Sequence, residues 1–173
     1  MAENTDKLVV DLVERLATRG ETVATAESLT GGLLAATIVD VPGASAVFRG
    51  GLIVYATDLK ATLAGVPTDL LDERGPVDPD VAAALAVGAR ERCGATWGLA
   101  TTGVAGPTPQ DGVAVGTVMV AVSGLSSTVL ALLLDGDRPA IRAAAVRAAI
   151  GLLSTALSST ALSSTALDRE SGG

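Results

Sequence analysis

The chain has 173 residues, long enough for one domain with a sizeable core, and 49% of them are hydrophobic while only 2% are aromatic, so that core must be built from Ala, Val, Leu and Ile. A formal net charge of −7 with no basic stripe argues against broad binding to nucleic acid. The absence of histidine excludes a Ser-His-Asp triad and imidazole metal ligation, and a single cysteine, Cys93, excludes an internal disulfide and a cysteine-built zinc site.

No uninterrupted apolar run reaches the length of a membrane span and the N-terminus has no signal-peptide pattern, so the expectation is a cytoplasmic protein without a membrane partner. In chain order, residues 6–17 place Leu8, Val9, Leu12, Val13 and Leu16 at helical spacing, with Thr5 or Asp6 as cap and Gly20 as stop. The β-branched run 22–26 reads as a buried strand, followed by a helix over 29–40 that Pro42 and Gly43 end. A second strand is expected over 50–57 and a short helix over 58–65, with Val66-Pro67 marking its exit. Asp78 as cap, Pro79 at the first helical position and Gly94 as stop define the next helix.

The third strand falls at 95–103, and a turn-rich loop leads into a fourth over 113–124 and a fifth over 126–136, the last two pairing as a hairpin. Asp137 caps the last helix, which is expected to end near Leu157. Helices alternate with strands first and two adjacent strands come late. This order predicts an α/β fold, a three-layer α/β/α sandwich on a mixed, mostly parallel sheet of about five strands with one antiparallel strand. Residues 1–157 form one domain, and 158–173 read as a low-complexity tail expected to be disordered. The tail repeats every five residues, which advances a helix by about 500° and walks its leucines around the axis.

In such a sheet, ligands collect at the carboxyl ends of the parallel strands. Three of those ends carry unusual residues: Glu27 to Gly32, Tyr55 to Lys60, and Thr102 to Pro107, with Gly136-Asp137-Arg138 at the start of the last helix as a fourth group. Each has a plainer reading. Ser28 or Thr30 could simply cap a helix, Lys60 could lie along an amphipathic face, and Tyr55 could be a core residue. The sharper alternative at Ser28 is a nucleophile or an anion cradle at a helix start. With no histidine, a serine nucleophile would need Lys, Tyr or a carboxylate as its base. Lys7 and Lys60 are the only lysines and Tyr55 the only tyrosine. A lysine near a helix N-terminus and partly desolvated tends toward its neutral form, as a general base requires.

The stretches "TAESLTGG", "GGLIVYATDLK", "TTGVAGP", "VGTV" and "GDRPAIR" together resemble, in order, the motifs of the CinA C-terminal domain family over about residues 5–155. Members act as nicotinamide-nucleotide amidohydrolases, the NMN deamidases. The resemblance implies Ser28 as nucleophile, Tyr55 and Lys60 as the proton-transfer pair, and a nucleotide site lined by Thr102, Gly103, Ala105 and Gly106. It further implies no metal, no cofactor, and a homo-oligomer, commonly a dimer.

Beside these, backbone N–H groups from Leu29 to Gly32 are candidates for holding an oxyanion, with Thr30, Gly31 and Gly32 as substrate-binding positions. Glu27 stays open between orienting the hydroxyls and contacting ribose. Arg138 and Arg142, one helical turn apart, are candidates for the substrate phosphate. Two departures from the family pattern stand out: Leu29 where cysteine is common, and "TPQDGVA" in place of a longer glycine-rich insert and a Lys-Pro pair. Two other readings remain open, a nucleotide-binding module that breaks no bond and a protein-interaction domain derived from a two-domain enzyme.

Overall fold

The computed structural model describes the backbone of residues 2–170 and the side chains of residues 7–159. Five strands, β1 (Val23–Glu27), β2 (Phe48–Ile53), β3 (Trp97–Gly103), β4 (Thr117–Ser123) and β5 (Thr128–Leu133), form one sheet in the order β2-β1-β3-β4-β5. β1 runs parallel to both β2 and β3, while β4 is antiparallel to β3 and to β5. Helices α1 (Ala2–Arg19), α2 (Leu33–Val39), α3 (Thr57–Thr62), α4 (Thr68–Arg74), α5 (Pro79–Cys93) and α6 (Arg138–Glu170) complete the order, with a short 3-10 turn at Ala44–Ala46. The result is the expected three-layer sandwich.

Alternation along the strands divides the core in two. Val23 on β1, Trp97 and Leu99 on β3, and Val118, Val120 and Val122 on β4 face α1, α2 and α6. Ala24, Ala26, Ala100 and Ala121 face the opposite way, onto Val81, Ala82, Leu85, Ala86 and Ala89 of α5. The second interface is made of small side chains, so helix and sheet approach closely. A Cβ placed on Gly98 of β3 would collide with the Ala86 carbonyl oxygen. A core with few aromatics is filled here by bringing the backbones nearer.

Several boundaries differ from the sequence reading. α1 starts at Ala2, which puts Thr5 and Asp6 inside the helix; their side chains lie outside the described ones. α2 begins at Leu33 instead of 29, because Gly31 and Gly32 both take positive φ and keep residues 28–32 as a turn. α3 spans 57–62, and α4, which no strong periodicity announces, follows Pro67. Asp78 does cap α5 by accepting the Asp80 N–H, and Gly94 ends it in the left-handed region.

The backbone of α6 continues past Leu157, where the helix was expected to end, through the five-residue repeat to Glu170. Its residues Arg138–Ser159 are long and apolar enough to cross a membrane, but Ile141, Ala145, Val146, Ala149, Ile150, Leu153 and Leu157 are buried in the core under the sheet. That face identifies it as a core helix.

Candidate active site

The carboxyl ends of the three parallel strands meet at a pocket of about 260 Å³. Ser28 follows β1, Tyr55 and Lys60 follow β2, and Thr102 to Gly106 end β3 and begin the loop after it; all of these line the cavity, together with Leu29 and Arg138, while Glu27, Thr30, Gly31, Gly32 and Arg142 do not. Sheet hydrogen bonding continues one step past the strands and places the reactive groups. The Ser28 N–H donates to the Thr101 carbonyl (2.9 Å), and the Val54 N–H donates to the Glu27 carbonyl (2.8 Å). The Val54 carbonyl then accepts from Lys60 Nζ at 2.9 Å, and the same nitrogen lies 3.1 Å from Ser28 Oγ. Serine and lysine are thus tied to adjacent strands and joined to each other.

Lys60 is 1% exposed and Ser28 8%. Burial lowers the Lys60 pKa from 10.5 to about 8, against the opposing pull of the Asp58 carboxylate. The cause is desolvation, and at 1% exposure Lys60 does not lie along an amphipathic surface. Lys60 Nζ donates to both oxygens; once neutral, with one N–H kept on the Val54 carbonyl, its lone pair can face the serine hydroxyl. This is the arrangement a lysine needs to act as a base.

Tyr55 is placed differently from expectation. It is 57% exposed, its hydroxyl accepts from the Arg138 guanidinium at 2.7 Å, and no hydrogen bond joins it to Lys60 or Ser28. It forms pocket wall with Arg138, whose other terminal nitrogen donates to the Gly106 carbonyl at 2.8 Å. Thr102 Oγ1 donates to the Pro76 carbonyl at 2.6 Å and fastens the loop before α5 to the end of β3. Gly103 is required by close approach, since a Cβ there would stand 2.5 Å from the Thr117 carbonyl oxygen.

Glu27 lies outside the cavity lining. It is fully buried, and its carboxylate accepts from the backbone N–H groups of Gly32 (3.0 Å), Leu34 (3.0 Å) and Ala35 (2.8 Å) as well as the Thr25 hydroxyl (3.3 Å). Glu27 is the cap of α2, and neither Ser28 nor Thr30 plays that part. Thr30 is buried too, with its hydroxyl 2.7 Å from that of Thr101. Thr30, Gly31 and Gly32 lie outside the pocket lining.

Arg142 does not line the pocket either; its Nε donates to the Leu29 carbonyl (3.0 Å) and its NH2 to the Thr30 carbonyl (2.6 Å). The two arginines therefore part company, Arg138 at the cavity and Arg142 behind the turn. Of the four N–H groups from Leu29 to Gly32, Gly31 donates to the Ser28 carbonyl and Gly32 to Glu27. Among the described residues, those of Leu29 and Thr30 have no partner. The Leu29 side chain is buried with the apolar core, and the residue also borders the cavity.

The cavity is also lined by Thr57, inside the Tyr55 to Lys60 group, by Thr108, Pro109 and Gln110 of the "TPQDGVA" stretch, and by Pro76 and Val77, which sequence reasoning passed over. The approach of Pro76 and Val77 to the site depends on tertiary folding, as with the Pro76–Thr102 bond, and leaves no local pattern.

Fold and site define a class: an α/β/α protein with a serine–lysine pair at the carboxyl edge of its parallel strands. The sequence profile of the CinA C-terminal domain matches residues 5–157, and the chain belongs to that family. A CinA-like protein of Frankia casuarinae is 54% identical over 131 residues, 75% of this chain and 30% of its own length. A putative competence-damage inducible protein of Geobacillus kaustophilus is 44% identical over 141 residues, 80% of this chain and 34% of that protein. The chain thus spans about a third of the length of these curated relatives. Among solved structures, competence/damage inducible protein CihA from Agrobacterium tumefaciens aligns with a TM-score of 0.84 at 34% identity, covering 89% of this chain and 95% of that one. A CinA superfamily protein from Escherichia coli aligns with a TM-score of 0.83 at 30% identity, covering 86% and 88%.

Proposed function

We propose that the chain is a nicotinamide-nucleotide amidohydrolase that converts nicotinamide mononucleotide to nicotinic acid mononucleotide and ammonia. The observation that carries the reading is the buried Lys60 amine, with its pKa drawn down to about 8, at 3.1 Å from Ser28 Oγ in a pocket at the strand ends. Neutral Lys60 takes the Ser28 proton as Oγ attacks the carboxamide carbon. The backbone N–H of Leu29, the residue after the nucleophile and part of the cavity lining, holds the developing oxyanion. Collapse of the tetrahedral species breaks the C–N bond, and the lysine returns its proton to the departing nitrogen, which leaves as ammonia. Water, deprotonated by the same amine, then hydrolyses the acyl-enzyme and frees Ser28.

Arg138 contributes charge and N–H donors at the pocket wall for the substrate phosphate, with Tyr55 beside it. The proton-transfer pair in this reading is Ser28 and Lys60, and Tyr55 serves as a substrate contact. The test is incubation of purified protein with nicotinamide mononucleotide and assay of ammonia, alongside Ser28→Ala. Steady ammonia release by the parent chain, lost in the variant, is the expected result. Saturable binding of the nucleotide without release would make the chain a binding module.

A further inference from the structure

Lys60 supplies the amine of the cavity, and in its protonated form that amine has three N–H donors. Two reach Ser28 Oγ (3.1 Å) and the Val54 carbonyl (2.9 Å); the third has no partner among the described residues. No carboxylate among those residues lines the cavity or forms an ion pair with Lys60. On the same helix, Asp58 raises the pKa of the amine by less than burial lowers it. Beside it after β1, Glu27 is spent on the backbone of α2, and after β2 the Tyr55 hydroxyl is turned to Arg138 of α6. The stretches 76–77 and 102–110 bring no ionisable side chain. Protonated Lys60 is thus a buried cation with a spare donor and no anion in contact, a costly state.

The reaction proposed above delivers the missing anion. In deacylation the hydroxide of one water bonds the acyl carbon. Its proton passes through Lys60 to Ser28 Oγ as the ester C–O bond breaks. The acid that forms, on a pyridinium ring, ionises far below neutral pH, and its proton goes to the nearest base, the Lys60 amine. Each cycle therefore ends with a carboxylate beside an ammonium at the spot where Ser28 Oγ and Lys60 Nζ meet. We infer that the acid product is a proton-linked inhibitor: its carboxylate accepts the third N–H of protonated Lys60, forms a buried ion pair with it, and holds the enzyme in the form that has no base for Ser28. The inference rests on the proposed amide hydrolysis.

A carboxylate in contact favours the ammonium, so binding takes up a proton wherever the free amine is neutral, above about pH 8. Affinity for the acid should be level below that pH and fall by about ten-fold per pH unit above it, until the complex itself loses the proton. The amide substrate shares the ring cation and the phosphate with the acid and lacks only the carboxylate.

The experiment titrates nicotinic acid mononucleotide calorimetrically into the parent chain between pH 7.5 and 9.5, where its phosphate is already a dianion. Each pH is measured in two buffers of different ionisation enthalpy, which counts protons taken up. The expected result is uptake that grows as pH rises through 8, and binding about ten-fold or more weaker at pH 9.5 than at pH 7.5. Lys60→Met should bind the acid weakly, with level affinity and no uptake. In Ser28→Ala, which cannot turn over the amide, nicotinamide mononucleotide should bind without the uptake that the acid shows. Acid binding of level affinity without proton uptake in the parent chain would overturn the ion pair, as would uptake that survives Lys60→Met or is equal for acid and amide. Where Ser28→Ala fails to fold, the parent chain and Lys60→Met decide. Any of these results beside steady ammonia release sinks this inference and leaves the reaction standing. Absence of both acid binding and ammonia release would instead overturn the proposed reaction, and this inference with it.

Discussion

A lysine amine held at 1% exposure is expensive to keep charged, and at Lys60 this cost appears as a pKa lowered from 10.5 to about 8. Activity that needs the neutral amine should rise with pH, with kcat/KM reaching half its plateau near pH 8. Lys60→Arg keeps a charge that cannot be removed and should be as inactive as Lys60→Ala; an active arginine variant in the ammonia assay would require another base. Stability follows the same shift. Because the folded pKa is the lower one, the unfolded chain binds more protons between about pH 8 and 10.5, so this group's contribution improves as pH rises through that window. The penalty below pH 8 is on the order of 3 kcal/mol. Denaturant titrations should therefore show the parent gaining up to about that much on Lys60→Met between pH 7.5 and 10.5, and a pH-independent difference would contradict the shift.

At the scale of elements, the turn from β1 into α2 shows what a sequence conceals. A mixed sheet with a hairpin of the last two strands, and the α5 caps, were legible because alternation along the chain, Asp78-Pro79 and Gly94 are local signals, whereas the order of strands in the sheet was not. The start of α2 was not, because hydroxyl residues before a helical run look like caps wherever they occur. The actual cap, Glu27, sits six residues ahead of Leu33 and reaches the helix only once the Gly31-Gly32 turn folds the chain back. Likewise Arg142 looked like a partner of Arg138 by its one-turn spacing, yet the turn of α6 directs it to carbonyls that no spacing rule connects with it.

Glu27→Gln tests this reading. Its amide could still accept, but its NH2 would face backbone donors, so three N–H groups share one oxygen. Hydrogen bonds to a charged group contribute about 1.5–3 kcal/mol each, and a loss of at least about 2 kcal/mol in unfolding free energy is expected. A variant of parental stability would mean that the carboxylate charge is not what caps α2. The small-residue interface gives a second test. Gly98→Ala drives a Cβ into the Ala86 backbone, so α5 must move off the sheet; overpacking of this kind typically costs about 1–3 kcal/mol, measurable as a lowered Tm.

Taken whole, the molecule is negatively charged, with a net −7, while the nucleotide proposed as its substrate carries a phosphate dianion. General electrostatic attraction therefore works against binding, and recognition must be local. Among the cavity-lining residues the cationic side chains are Lys60 and Arg138, and the mechanism requires Lys60 to be neutral when it acts. The task falls to Arg138, exposed at the pocket wall and already oriented by the Gly106 carbonyl and the Tyr55 hydroxyl. A guanidinium has five N–H donors, and these two contacts leave others for a phosphate.

Charge-assisted hydrogen bonds contribute about 1.5–3 kcal/mol each, so nicotinamide riboside, which lacks the phosphate, should show a kcat/KM at least roughly ten-fold lower. Arg138→Ala should remove most of that preference by lowering turnover of the mononucleotide, with the slow riboside rate little changed. Because the contact is a salt-exposed one, the preference should also narrow as ionic strength rises, while the riboside rate stays flat. Equal kcat/KM for the two substrates in the parent chain, measured by ammonia release at low salt, would take the phosphate out of recognition and leave Arg138 as a clasp between Gly106 and Tyr55.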